Sequence, residues 1–62
     1  MPMSENTIKR TIELAYIEKE DRPYWINKGY IKGLKAAGAI NNDMYMRLVR
    51  YNYDFDRSIE RT

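Results

Sequence analysis

Any chemistry done by this chain has to be done without imidazole or thiol, because it contains no His and no Cys. Their absence removes the side chain best suited to proton transfer at neutral pH. It also removes thiol nucleophiles, disulfides and the usual ligands of zinc sites. Catalysis would fall to paired carboxylates, Lys or Tyr. The carboxylates open to such a role are Glu13, Glu18, Glu20, Asp54, Asp56 and Glu60, and all read as solvated helix surface. Gly29, Gly33 and Gly38 are not spaced as a phosphate-cradling loop, and no Asp/Glu spacing resembles a calcium loop. We therefore expect a protein that is not an enzyme and that uses no metal or cofactor.

The chain is rich instead in the side chains of recognition. Six Tyr, one Trp, one Phe and four Met occur in 62 residues. Tyr, Trp and Arg dominate interface hot spots, and Met suits adaptable surfaces. A chain this short buries only about 60% of the surface its unfolded form exposes. Several rings must then reach the surface, and Tyr24, Tyr51 and Tyr53 are the candidates, with Ile31 beside them at the margin of an apolar face.

Charge is distributed unevenly. Residues 22–52 carry six basic side chains against Asp43 alone, or +5, while residues 1–21 carry −2 and residues 53–62 carry −1. The basic residues fall into two helical stripes, Lys28/Lys32/Lys35 and Arg47/Arg50/Arg57/Arg61. Together with the marginal aromatics they define an expected partner-binding set: Tyr24, Lys28, Ile31, Lys32, Lys35, Arg47, Arg50, Tyr51, Tyr53 and Arg57. Such a field attracts acidic protein surfaces or phosphates. The favoured partner is a protein. The alternative is nucleic acid, read by a helix-turn-helix-like arrangement in which Asn41, Asn42 and Arg47 face bases and the lysines and Arg50 serve the backbone. Asp43 would repel phosphate at that base-facing end. A homodimer is a further way for so small a domain to gain buried surface.

These residues are positioned by three expected helices in an all-α domain spanning residues 1–62. Met1–Ser4 forms a lead-in, with Ser4 as an N-cap for a helix over residues 5–20. Ile8, Thr11, Ile12 and Ala15 share one face of it at 3.6 periodicity, while Leu14 and Ile17 lie elsewhere. Pro23 begins a second helix over residues 23–37, with Asp21 available as a cap. Trp25, Ile26, Gly29, Tyr30, Gly33, Leu34, Ala36 and Ala37 fill one contiguous half of that helix. Gly29 and Gly33 each cost about 1 kcal/mol of helix propensity relative to Ala. That cost predicts a gain elsewhere, namely close approach of another helix. A third helix over residues 42–60 presents Tyr45, Leu48, Asn52, Phe55 and Ile59 as its seam, and pairs with the second helix as an antiparallel hairpin. Asn52 within that seam either fixes register or lies at its solvent edge.

The corner between the second and third helices is written most clearly. Gly38 suits a left-handed helix terminus, Asn41 an N-cap, and Ile40 with Tyr45 a hydrophobic staple. The run from Leu34 through Gly38, Ile40 and Asn41 to Tyr45 resembles a helix–Gly–Ile–cap–helix pattern of small bacterial helical hairpins. A short chain of this kind looks like the accessory or inhibitory proteins of phages and mobile elements. That resemblance implies a regulatory binder and assigns no functional residue. No apolar run approaches the roughly 18 residues of a membrane span, and no signal-peptide core is evident. A cytoplasmic protein without a membrane partner is expected.

Overall fold

The computed structural model describes residues 3–60. Met1 and Pro2 of the expected lead-in, and Arg61 of the second basic stripe, lie outside the described residues. The chain forms α1 (Glu5–Ile17), α2 (Pro23–Ala36) and α3 (Asn42–Glu60), with no strand among the described residues. It is the expected all-α bundle, with α2 and α3 forming the most extensive contact and α1 lying against both. Lys35 near the end of α2 meets Tyr45 near the start of α3, and Tyr24 at the start of α2 meets Asn52 well along α3. The two helices therefore run antiparallel. α1 runs parallel to α3, since Glu5 meets Arg47 and Tyr16 meets Asp56.

The α2–α3 corner forms as its sequence dictates. Gly38 takes φ +77°. The Gly38 N–H donates to the Lys35 carbonyl at 3.1 Å, and the Ala39 N–H to the Leu34 carbonyl at 2.9 Å. That pair of bonds is a Schellman closure, which satisfies carbonyls left free by the end of the helix. Asn41 Oδ1 then accepts the Met44 N–H at 2.8 Å, the capping bond of α3. Ile40 and Tyr45 both join the core cluster, as a staple requires.

The α1–α2 connection differs from expectation. α1 stops at Ile17 rather than near residue 20. Lys19 takes φ 55°, its N–H donates to the Tyr16 carbonyl, and the Glu20 N–H donates to the Ala15 carbonyl. This is a second Schellman closure with a lysine in the seat that glycine normally fills, so no glycine marks it in the sequence. Ser4 stands at the N-cap of α1 as expected but makes no side-chain capping bond. Asp21 does not cap α2 either. The N-cap position belongs to Arg22, in left-handed conformation at φ 54° and without a side-chain bond. Pro23 disfavours right-handed helical geometry for the residue before it.

Ile8, Ile12, Ile31, Ile40 and Leu48 make the buried core cluster, and Ala15 is buried as well. The predicted face of α1 is therefore the buried one. α2 is rotated relative to expectation. Its buried residues are Asn27 and Ile31, while Trp25, Ile26, Gly29, Gly33, Ala36 and Ala37 are exposed. A Cβ placed on Gly29 or Gly33 would meet nothing within 4 Å, so neither glycine serves close helix packing. The physical reason is area. Glycine and alanine count as apolar but bury little surface, so Ile31 and the flanks of Tyr24, Tyr30 and Leu34 set the rotation. On α3, Leu48 faces inward as expected, and Asn52, whose place was open between the seam and its solvent edge, is buried. Phe55 turns to α1, with its ring 5.0 Å from that of Tyr16, and Ile59 is exposed.

Candidate functional site

Two groups of polar and aromatic side chains stand out, one inside the bundle and one on its surface. The inner group is a hydrogen-bond network joining all three helices. Asn27, 2% exposed, donates from Nδ2 to the Ile12 carbonyl at 3.0 Å and to Asn52 Oδ1 at 3.2 Å. Asn52, 1% exposed, donates from Nδ2 to the Tyr24 carbonyl at 3.1 Å. The Tyr16 hydroxyl lies 3.4 Å from Asn52 Oδ1 and 3.2 Å from Asp56 Oδ1. Among the described residues, no buried side-chain polar atom lacks a partner. A buried network with every member satisfied positions helices, because any slippage would strand a polar group in the interior. Sequence reasoning raised the possibility that Asn52 fixes register but did not single out Asn27, whose partners lie 15 and 25 residues away.

The surface group begins where α2 begins. The rings of Tyr24 and Trp25 meet edge to face at 5.1 Å. Lys28 Nζ stands 5.2 Å from the Trp25 ring centre and 5.9 Å from that of Tyr24. Trp25 remains 61% exposed. Its place in the apolar half of the helix therefore does not bury it. Lys32 and Lys35 are exposed, and Lys35 lies over the Tyr45 ring at 5.1 Å. Ile31 leaves the site altogether: at 0% exposure it is core, and its place as a partner-binding residue is corrected.

The α3 members divide into two sets. Arg47 and Tyr51 turn to α1. Arg47 Nη2 pairs with Glu5 Oε1 at 2.9 Å while its Nε reaches both carboxylate oxygens at 3.3 Å. This bond holds the Glu5 carboxyl below its ordinary range and raises the Arg47 guanidinium above its own. Tyr51 donates its hydroxyl to Glu13 and lies under Lys9, whose Nζ is 5.0 Å from the ring centre. The bond to the Glu13 carboxylate, followed by burial, pushes the Tyr51 phenol up. The other set faces outward. Tyr53 is exposed, with Arg57 over its ring at 5.7 Å and bonded to its hydroxyl at 3.4 Å. Arg50 pairs along the helix with Asp54 at 3.3 Å.

The expected set thus splits by occupation. Arg47, Arg50 and Tyr51 are engaged within the chain, whereas Tyr24, Lys28, Lys32 and Lys35 share α2 with an exposed tryptophan. No group of three or more acidic side chains among the described residues could hold a metal ion. None of the described helices is long and apolar enough to cross a membrane. Neither protein-family models, nor curated proteins, nor solved structures provide a match to this chain.

Proposed function

We propose that this is a small non-enzymatic regulatory or inhibitory protein that acts by binding a larger protein. Exposure of Trp25 against Tyr24 and Lys28 is the observation that carries this reading. A large ring left in water beside a cation costs apolar hydration, and such rings are the residues that anchor interfaces. Tyr53 with Arg57 offers a second, smaller pair of the same kind. The accessory and inhibitory proteins of phages and mobile elements remain the resemblance that suits this mode of action.

Affinity purification from an extract of the source organism, with native chain and Trp25→Ala in parallel, tests the proposal. A protein retained by the native chain and lost with the variant is the expected result. Recovery of nucleic acid alone, released by moderate salt, would overturn it.

The alternative, a helix-turn-helix-like nucleic-acid binder, draws on the same lysines, and three observations weigh against it. The Asn41 side chain is spent on capping. Arg47 is held by Glu5. Arg50 is paired with Asp54.

A further inference from the structure

We infer that the outward face of α2 docks an acidic helix of the partner, with Trp25 as the anchor. The inference rests on the protein-binding reading above and names the chemistry of the partner. Trp25, Lys28, Gly29, Lys32 and Ala36 recur at spacings of three and four and so share one side of the helix. All but half-buried Lys28 are exposed.

Charge selects the partner. No carboxylate occurs from Arg22 to Asn42. Among the described residues Lys28, Lys32 and Lys35 form no ion pair, whereas Lys9, Arg47 and Arg50 each have one. Among the described residues, cations without an ion pair are most concentrated on α2, where no acid competes for them, and Lys28 and Lys32 stand one turn apart, the spacing of carboxylates on a facing helix. Shape agrees with this. Space above Gly29 is open, so a helix seated on Trp25 and Ala36 can come close beside it.

The same face suits the two rival occupants less well. A phosphate backbone would leave the Trp25 ring and Ala36 without apolar contact. A second copy of α2 packed on the first would bring Lys28 and Lys32 toward their own counterparts, and like charges at an interface oppose association.

Trp25 is the single tryptophan of the chain, so its fluorescence reports on this face directly. The probes are a synthetic amphipathic peptide helix with Glu at successive turns beside an Ala/Leu stripe, the same peptide with Gln for Glu, and a mixed-sequence DNA duplex. We expect a saturable blue shift with the Glu peptide and binding about tenfold weaker with the Gln peptide. Lys28→Glu with Lys32→Glu should weaken the Glu peptide by a similar factor, with circular dichroism confirming that the variant is folded. Gly33→Leu places a side chain in open space at the edge of the face. It should keep the fold, with a melting midpoint at or above that of the native chain, and weaken peptide binding about tenfold by blocking approach.

No shift, equal affinity for the Gln peptide, tighter binding of duplex DNA, or a shift that follows protein concentration without peptide each overturns the inference. If the peptides fail while extract still yields a Trp25-dependent partner, only the acidic helix falls. If the extract partner is also indifferent to Trp25→Ala, the protein-binding reading of this surface falls with it.

Discussion

Asn27 of α2 and Asn52 of α3 meet amide to amide in the interior, Nδ2 to Oδ1 at 3.2 Å. Each also reaches a main-chain carbonyl on another helix, Ile12 for Asn27 and Tyr24 for Asn52. Two asparagines thereby tie three helices at one level of the bundle. The arrangement works because Asn27 donates twice from one amide nitrogen while Asn52 accepts at Oδ1 and donates from Nδ2, so one side chain can satisfy two helices at once.

Removing either asparagine takes one buried hydrogen bond from its partner. Asn52→Ala leaves the Tyr24 carbonyl without its side-chain donor and Asn27 with the Ile12 carbonyl as its one remaining acceptor of the two, and should cost about 2–3 kcal/mol. Asn27→Ala should cost a similar amount. The double variant should be less damaging than the sum by about 1 kcal/mol, because the second removal takes away a group that has already lost the shared bond. Denaturant unfolding of the four proteins measures the coupling, and strict additivity would show that the amide pair is energetically idle.

Three backbone positions predict opposite signs. Gly33→Ala should stabilise by about 0.5–1 kcal/mol, since the site is exposed, helical and open. Gly38→Ala should destabilise by about 1 kcal/mol, since φ +77° clashes with a Cβ. Lys19→Gly should stabilise by about 1 kcal/mol, because it relieves a side chain held at φ 55°. Thermal melts rank the three, and a loss on Gly33→Ala would mean that the α2 face is covered after all.

Stability should depend on pH at both extremes. The Glu5 carboxyl is lowered by Arg47, so the folded state binds its proton less readily than the unfolded state. Its contribution is present above about 4.5 and is lost as pH falls through the folded value. The Tyr51 phenol is raised chiefly by its bond to Glu13, so its contribution holds below about 10 and fades as pH rises through the folded value. Glu5→Gln should flatten the acid limb of the midpoint curve, and Tyr51→Phe the alkaline limb. Unaltered limbs would show that these contacts do not persist in solution.

Trp25→Ala should change stability by less than about 0.5 kcal/mol, because the ring it removes stands largely in water. The native chain should show the red-shifted, readily quenched emission of a solvated indole. A blue emission maximum in dilute protein would instead mean that the ring is covered, by a second copy of the chain.

Much of this structure is legible in local sequence. The three helices, the Ile8/Ile12/Ala15 face, the inward Leu48, and the corner built by Gly38, Ile40 and Asn41 follow from rules that act within one or two turns. Periodicity and capping are such rules. The rotation of α2 is not legible that way. Its apolar residues offer two overlapping arcs, one rich in glycine and alanine and one centred on Ile31. The choice between them is made by partners far along the chain, the core that takes Ile31 and the amide of Asn52 that takes Asn27. The same rotation turns Trp25 outward and leaves Lys28, Lys32 and Lys35 without an ion pair among the described residues. Residue types alone thus determined what kinds of side chain were available for recognition. Tertiary packing decided which of them reach a partner, because burial is a property of the whole bundle and not of any single helix.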